Sequence, residues 1–369
     1  MKGGMYRVKI NGKTYYQVKF KGGISFTRAS KAEAERILNG LRYETDRGTL
    51  DPRDYRKDQP LAFNRLAKQW LKHKRSVVRP GTFRNLKNYI IKAVSEWGNT
   101  NIKGIGYAEI EDFLYGQDVS NKTRSNMKSC FHDFWQWLRR RRVITVDQVP
   151  EFPEIKYELG WRRIIDIETQ QAIVEAVQEM TRSINPKIYI GLRLLCTYPD
   201  IRPGELINVR EKDIIFDPGV ISIRRPKEKK PKAIFLLEED VELMRSIPRG
   251  LPDLFYFRHT KGVSGAQAGA RFGDKYFYKW WKRGCEAVGI EGVDLYGGTR
   301  HSTVYSLRKI LSPEQIRRGS GHETNEAFER YFQRDINDAR MVYQAARANQ
   351  VKKILRRDKR GNGKLNLLK

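Results

Sequence analysis

Cysteine and histidine are scarce in this chain, which has three cysteines and five histidines among its 369 residues. Cys130, Cys196 and Cys285 are far apart in sequence, no C-x-x-C pair occurs, and the histidines lack the spacing of a zinc site. These absences argue against a disulfide framework and against a structural metal. We expect the three thiols to be small buried groups in a reducing cytoplasm, and we expect no cofactor.

Long apolar runs are also missing. No run approaches the roughly 18 residues that a membrane-spanning helix needs. No signal peptide opens the sequence. We therefore expect a soluble protein of the cytoplasm without a membrane role.

Acidic side chains are too few to balance the basic ones, since 43 Asp and Glu stand against 72 Lys and Arg, for a net charge of +29. Such a charge resists compaction unless a polyanion shares it, and it raises the affinity for phosphates through counterion release. Nucleic acid is therefore the first partner to consider. An anionic membrane surface is disfavoured, because the basic residues lie on predicted sheets and helices that also need cores.

Hydrophobic residues make up 39% of the chain, which is enough for real cores, and the length predicts about two or three domains. We predict a multi-domain, mainly α protein with small β-sheets. A segment with two prolines, "VDQVPEFPEIKYELG", divides the chain near residue 150. The predicted parts are a three-stranded sheet plus helix over 1–57, a helical domain over 58–145, a linker over 146–160, an α+β domain over 161–350 and a basic tail over 351–369.

The N-terminal segment carries the signals of a small sheet. Asn11-Gly12 predicts a two-residue hairpin turn, because both turn positions need a positive φ. After the sheet, Ser30-x-x-Glu33 is a capping box that predicts a helix ending near Gly48. Alternating apolar residues stand on both sides of the turn, namely Tyr6, Val8 and Ile10 before it and Tyr16, Val18 and Phe20 after it.

Basic side chains are concentrated in this segment, where residues 1–60 hold 14 basic and 7 acidic residues. A basic sheet of this size suits a DNA groove, although a solvated sheet face is the alternative. The predicted DNA-binding residues of the sheet are Arg7, Lys9, Lys13, Lys19 and Lys21.

Residues 61–142 have helical periodicity throughout, and the last predicted helix, around Lys122–Leu138, is rich in aromatic residues. It ends in a run of four arginines. The run is either a solvated helix C-terminus, which the helix dipole favours, or a set of phosphate contacts. We include all four as DNA-binding candidates, namely Arg139, Arg140, Arg141 and Arg142.

Four separated pieces of the last domain carry candidate chemistry. In "DIRPGELINV", a helix that starts at Pro203 leaves Arg202 at its entrance, and Glu205 can hold the guanidinium. A planar guanidinium reaches two phosphate oxygens at once. Lys227 starts "KEKKPK" at the tip of a predicted hairpin, and Arg300 stands just ahead of a helix in "LYGGTRHSTVYSLRK".

The fourth piece is "GSGHETNEAFERYFQRD", which places His322 nine residues before Tyr331. Singly, each piece has an ordinary interpretation: a structural ion pair, a soluble hairpin tip, a helix start, or an aromatic side chain that packs a helix. Their order along about 180 residues is what favours a shared function.

Together these pieces resemble the catalytic domain of the tyrosine recombinase, or phage-integrase, family. Arg202-x-x-Glu205 is similar to that family's first arginine box, "PKEKKPKAIFL" to its lysine hairpin, "TRHS" to its second arginine box, and "GSGHETNEAFERYF" to its histidine–tyrosine ending. The helical segment resembles the family's core-binding domain. The N-terminal sheet resembles the arm-site domain of integrases, which is a weaker match.

The resemblance implies a site-specific recombinase that cuts and rejoins DNA without metal or ATP. It implies that Tyr331 forms a 3′-phosphotyrosyl link, that Lys227 acts as general acid, and that Arg202, Arg300 and His322 hold the phosphate. Implied partners are double-stranded DNA attachment sites, a homotetramer on DNA, a host DNA-bending protein and a directionality factor. The implied setting is the cytoplasm or nucleoid of a bacterial host, for a phage or mobile element.

One position departs from the family. A histidine usually stands three residues before the second arginine, and this chain has Gly297 there. Tyr296 and His301 are close to this position in sequence, and for His301 a packing or helix-start role is favoured. Two alternatives therefore stay open: a non-catalytic DNA-binding regulator derived from an integrase, and an enzyme like the type IB topoisomerases.

Overall fold

The computed structural model describes residues 3–158, 160, 162–224, 231–263, 265–321 and 343–348. The chain divides into two compact units, Met1–Leu159 and Gly160–Lys369. Both are mainly helical and each contains one three-stranded antiparallel sheet among its described residues. The predicted fold class, mainly α with small sheets, is confirmed.

The first unit opens with strands β1 (Gly4–Ile10), β2 (Lys13–Phe20) and β3 (Ile24–Arg28), in the order β1-β2-β3. The predicted turn joins β1 and β2: Asn11 and Gly12 have φ of 47° and 75°. Positive φ at both positions matches the right-handed twist of a hairpin, which is why this dipeptide is favoured there.

The register of this hairpin separates the apolar residues of its two strands. Ile10 pairs with Lys13 and Tyr6 with Gln17, so even-numbered residues of β1 share a face with odd-numbered residues of β2. Val18 and Phe20 are buried on the other face. Tyr6 and Ile10 are consequently about half exposed, at 50% and 47%.

Helix α1 (Lys31–Asp46) covers the buried face of the sheet. Ser30 caps it by accepting a hydrogen bond from the backbone N–H of Glu33, which is one of the two contacts of the predicted capping box. The small core between helix and sheet consists of Val18, Phe20, Ile24, Ala34, Leu38 and Leu41.

Four further helices complete the first unit: α2 (Phe63–Val77), α3 (Pro80–Trp97), α4 (Tyr107–Tyr115) and α5 (Asn121–Arg140). Pro80 begins α3 at a position where the missing N–H costs nothing, and Ser120 caps α5. The helices pack around buried aromatic rings with centroids about 5–6 Å apart, including Phe63, Trp70, Trp97, Phe131, Phe134 and Trp135.

The segment predicted as a linker packs on this aromatic core. Ile155 is 7% exposed, and the rings of Phe152 and Trp135 lie 6.1 Å apart. Its prolines prevent a helix, but its apolar side chains still find cover. Residues 146–158 therefore belong to the body of the first unit.

The second unit contains helices α6 (Ile167–Thr181), α7 (Lys187–Thr197), α8 (Pro203–Leu206), α9 (Glu238–Arg245), α10 (Tyr276–Ala287), α11 (Ser302–Leu307) and α12 (Pro313–Ser320). Its sheet has strands β4 (Ile214–Ile215), β5 (Val220–Ile223) and β6 (Lys232–Phe235), in that order. The predicted hairpin is thus present, and residues 225–230 of its tip lie outside the described residues.

Helix α7 is the centre of the second unit, since nine of its eleven residues are buried. Gly191 is required there, because an added Cβ would lie 2.3 Å from the Phe277 ring. All three cysteines are buried, as predicted. Burial raises the pKa of the Cys130 thiol to about 12, which keeps it neutral and inert. Along the described parts of the chain, no helix has the length and apolarity to cross a membrane.

Candidate active site

Arg202 stands at the entrance of α8, where the sequence predicts it. Its Nη1 donates a hydrogen bond to Oε1 of Glu205 at 3.2 Å, and its backbone N–H donates to Oε2 at 3.3 Å. Pro203 begins the helix, and the first helical turn brings Glu205, three positions after Arg202, back to the helix entrance. Glu205 therefore fixes both the helix start and the guanidinium.

Glu205 has a second cationic partner, Lys232, at the start of β6. The Nζ of Lys232 lies 3.0 Å from Oε2 of Glu205 and 3.0 Å from Oδ1 of Asp200. It also donates to the backbone carbonyl of Asp200. The lysine side chain is 15% exposed, so this bridge is largely shielded from water.

Arg300 is buried, at 4% exposure, in the fourth position of a π-helical turn over Gly297–His301. The sequence predicts it just ahead of a helix, but the turn runs directly into α11. The burial of Arg300 depends on the two glycines that open the turn, Gly297 and Gly298. A Cβ at Gly298 would lie 2.1 Å from the Trp281 ring, so only a residue without a side chain fits there. The Nη2 of Arg300 donates to the carbonyl of Ser320 at 2.9 Å.

A buried amide holds the π-helical turn in place. Nε2 of Gln170, on α6, donates to the carbonyl of Gly298 at 2.7 Å and lies 3.1 Å from Oγ1 of Thr303. Thr303 in turn donates to the carbonyl of Cys196 at the end of α7. The position of Arg300 is therefore set by helices that are distant in sequence.

Gly321 closes α12 in the left-handed conformation, with φ of 61°. A Cβ added there would lie 1.9 Å from Oδ1 of Asp200, so the chain passes very close to this carboxylate. The contacts Arg202–Glu205–Lys232–Asp200 thus extend to Gly321, and Arg300 contacts the preceding residue, Ser320. Arg202 and Arg300 thus belong to one chain of contacts.

His301 is half-buried beside the same turn. Burial, together with the charges of Arg162 and Arg300, lowers the pKa of His301 to about 4. The imidazole is therefore neutral at physiological pH. This agrees with the packing role that the sequence favours for His301.

No protein-family model matches the sequence, and no curated protein matches it. Solved structures do. The chain is similar to a lambda integrase tetramer bound to a Holliday junction, with TM-score 0.55, 16% identity, and coverage of 87% of this chain and 96% of that one. It is similar to the Tn1549 transposon integrase in complex with a circular intermediate DNA, with TM-score 0.59, 15% identity, and coverage of 77% and 99%. It is also similar to the XerH site-specific recombinase bound to difH, with TM-score 0.58, 15% identity, and coverage of 85% and 88%.

The chain has the fold of the tyrosine recombinases. Within this recombinase fold, Arg202, Glu205 and Arg300 belong to the cluster described above. Lys227, His322 and Tyr331 lie outside the described residues. Their predicted roles stay predictions.

The predicted DNA-binding residues of the first unit are all exposed. Arg139, Arg140, Arg141 and Arg142 are exposed at the end of α5, and the Arg141 guanidinium lies 4.9 Å from the centroid of Trp137. The five basic residues of the sheet are exposed too, but they do not form one face. Because strand residues alternate, Arg7 and Lys9 share the side of Val18, whereas Lys13 and Lys19 share the open side with Tyr6.

Lys232 and Asp200 are the contacts of the arginine box that sequence reasoning missed. Lys232 is one of four lysines in "KEKKPK", and nothing in that run of letters sets it apart, whereas the structure pairs it with Ile223 at the start of β6. Asp200 stands two residues before Arg202 in "YPDIRPGE", where it is hard to distinguish from an ordinary turn residue. The one sequence feature that could have identified Asp200 as part of the site is its position two residues before Arg202.

The position of Gly297 leaves no room for a side chain. A Cβ there would lie 2.4 Å from the carbonyl oxygen of Arg163, which is backbone and cannot move aside. We predict that Gly297→Ala lowers stability by about 1–3 kcal/mol, the usual cost of overpacking. Thermal or urea unfolding measures this directly. Histidine brings the same Cβ, so Gly297→His is expected to destabilise the fold and not to increase activity.

Gly319→Ala is the matched control for this prediction. It lies in α12, and a Cβ added there meets nothing within 4 Å. Alanine favours helix over glycine by about 1 kcal/mol, so this variant is expected to be at least as stable as the parent. Equal unfolding midpoints for Gly297→Ala and the parent would contradict the steric argument.

Proposed function

We propose that this protein is a site-specific DNA recombinase that cleaves and rejoins strands through a 3′-phosphotyrosine intermediate. The observation that carries the proposal is the arginine cluster in a tyrosine recombinase fold. Glu205 holds Arg202, and Arg300 is buried with a hydrogen bond to Ser320, two residues before His322. Two fixed guanidiniums suit a phosphodiester whose non-bridging oxygens gain negative charge during in-line attack.

The proposed chemistry uses the chain's own side chains. The Tyr331 oxygen attacks phosphorus as its phenolic proton is lost to water, and the bond between phosphorus and the 5′ oxygen breaks. Lys227 gives a proton to the departing 5′ oxygen. Arg202, Arg300 and His322 stabilise the charge on the non-bridging oxygens. The phosphotyrosyl link keeps the bond energy, so attack by a 5′ hydroxyl reverses the step without ATP.

The proposed assembly is a homotetramer on two duplexes, because strand exchange needs four active sites. Lambda integrase, which has a similar fold, forms a tetramer on a Holliday junction. The proposed substrates are attachment sites of a phage or mobile element. A DNA-bending protein and a directionality factor are proposed partners, in a bacterial cell.

The test is covalent trapping. Purified protein is incubated with nicked duplexes that contain the DNA flanking its own gene, and the mixture is denatured in SDS. A nick beside the cleavage site releases the cut end and prevents rejoining, so a cleaving enzyme accumulates an adduct. We expect a protein–DNA adduct that resists SDS. Relaxation of any supercoiled plasmid, without site preference, would favour the topoisomerase-like alternative instead.

A second candidate function is a non-catalytic DNA-binding regulator. It is favoured by Gly297, which stands where the family usually has histidine and which has no space for a side chain. Specific binding with no adduct on any nicked substrate would support this candidate. The ordered contacts of Arg202 and Arg300 favour the enzyme.

The arginines that end α5 are proposed to contact phosphates. We predict that Arg139→Ala with Arg140→Ala weakens binding equally for specific and unrelated DNA, because phosphates carry no sequence information. The slope of log K against log salt is expected to fall by about 0.9 for each phosphate that the variant no longer neutralises. Titrations at several salt concentrations measure this slope.

Arg56→Ala is the control, since Arg56 is an exposed arginine of the same unit that is paired with Asp58. An unchanged slope in the double variant would contradict this role.

A further inference from the structure

The ammonium group of Lys232 lies against three oxygen atoms of the protein, in two hydrogen bonds to Asp200 and one ion pair with Glu205. Its Nζ contacts Oε2 of Glu205, Oδ1 of Asp200 and the Asp200 carbonyl. A lysine ammonium has three donors and no acceptor, so three close oxygen atoms already match its number of donors. Lys232 is therefore poorly suited to give a proton to a substrate, although it lies in the same hairpin as Lys227.

The bridge that Lys232 makes balances the charges around the arginine box. Asp200 and Glu205 carry two negative charges, and Arg202 and Lys232 carry two positive ones. All four side chains are at most about one-quarter exposed, so water screens them weakly. Without Lys232, Glu205 would lose a cationic partner, and its carboxylate would compete more strongly with a phosphate for the Arg202 guanidinium.

The same bridge sets the position of the chain ahead of His322. Asp200 packs so closely on Gly321 that any side chain there would overlap its carboxylate, and Lys232 holds Asp200 through two contacts. Gly321 immediately precedes His322 in sequence. Lys232 thus connects β6, the Arg202 box and the end of α12.

We propose that Lys232 is a positioning residue for DNA cleavage, acting through Glu205 on Arg202 and through Asp200 on the chain that enters the His322–Tyr331 segment. This inference rests on the proposed function. Lys232 differs from Lys227, which is the proposed proton donor. Its loss lowers the stabilisation of phosphate charge and leaves protonation of the leaving oxygen intact.

The test compares three versions of one nicked substrate, after the wild-type adduct has located the scissile phosphate. The first has an ordinary phosphate. The second has sulfur in place of the 5′ bridging oxygen, which departs as a thiolate and needs no proton. The third has a methylphosphonate, which removes the negative charge that Arg202 is proposed to stabilise. The variants are Lys232→Met, Lys227→Met and Arg202→Ala.

We expect Lys232→Met to cleave the ordinary substrate about 10²-fold more slowly, the usual effect of misplacing a catalytic group by about 1 Å. The sulfur substrate is expected to restore the cleavage rate of the Lys227→Met variant and not that of the Lys232→Met variant. On the methylphosphonate substrate, the cleavage rates of Lys232→Met and of Arg202→Ala are expected to be closer to the wild-type rate than on the ordinary substrate. Lys232→Arg keeps the positive charge and is expected to retain more activity than Lys232→Met.

Lys212→Met is the matched control, because Lys212 is a lysine of the same unit that forms an ion pair with Asp253, outside the cluster. It is expected to cleave at the wild-type rate. If Lys232→Met does not fold, Asp200→Asn weakens the same bridge and is expected to give the same substrate pattern.

Two results would overturn the proposal while leaving the recombinase function intact: wild-type cleavage by both Lys232→Met and Asp200→Asn, or restoration of Lys232→Met by sulfur. The second result would make Lys232 a proton donor. Absence of an adduct with the wild-type protein on every substrate would instead overturn the proposed function, and this inference with it.

Discussion

We expect Tyr331→Phe to abolish the SDS-resistant protein–DNA adduct. Phenylalanine keeps the aromatic ring but lacks the oxygen that is proposed to bond to phosphorus, so no covalent intermediate can form. DNA affinity is expected to change by no more than about twofold, because phosphate contacts by lysine and arginine dominate binding. Denaturing gels measure the adduct, and a binding titration measures the affinity.

Tyr343→Phe is the control for this experiment. Tyr343 lies in the helical stretch 343–348 and is 71% exposed. Removing its hydroxyl is expected to leave adduct formation unchanged. If Tyr331→Phe still formed the adduct and Tyr343→Phe did not, the nucleophile would be reassigned, and the spacing argument that selected Tyr331 would be wrong.

We expect Arg202→Ala to slow cleavage by about 10²–10³-fold, the usual effect of removing one donor from a site that stabilises developing negative charge. The guanidinium is 18% exposed, so it acts in surroundings that screen charge poorly. Glu205 keeps Lys232 as its partner in this variant, which protects the fold from an unpaired buried carboxylate. Single-turnover cleavage of a nicked duplex measures the rate.

Arg210→Ala serves as the matched control, because Arg210 is an arginine of the same unit that pairs with Asp253 at the surface. Its substitution is expected to leave the cleavage rate within about twofold, as is usual for exposed ion pairs. Equal cleavage rates for Arg202→Ala and wild type would show that Arg202 does not take part in cleavage. Equal losses in both variants would indicate a general effect of charge on DNA binding.

Local sequence signals predicted much of the fold correctly. The turn at Asn11-Gly12, the cap at Ser30 and the helix start at Pro203 all depend on residues a few positions apart, so local chemistry determines them. The register of the first hairpin was predictable as well. A two-residue turn pairs even positions with odd ones, and applying that rule would have put Tyr6 and Ile10 on the face opposite Val18 and Phe20.

The site was predictable only in part. The three-residue spacing of Arg202 and Glu205 is a helix-start geometry, and the structure shows the predicted ion pair. The depth of Arg300 was not predictable, because it depends on Gln170, on the Trp281 ring and on the absence of side chains at two glycines. These contacts join residues more than 100 positions apart in some cases.

The sequence by itself determined the charge, the helical periodicity, the turns and the order of the candidate site residues, since each follows from composition or from neighbours along the chain. Only the tertiary structure decided that Lys232 meets Glu205 and that Asp200 lies against Gly321. Such pairings depend on how strand and helix ends meet in space. A lysine on a strand reaches a carboxylate of a distant helix only after both have packed on the same core.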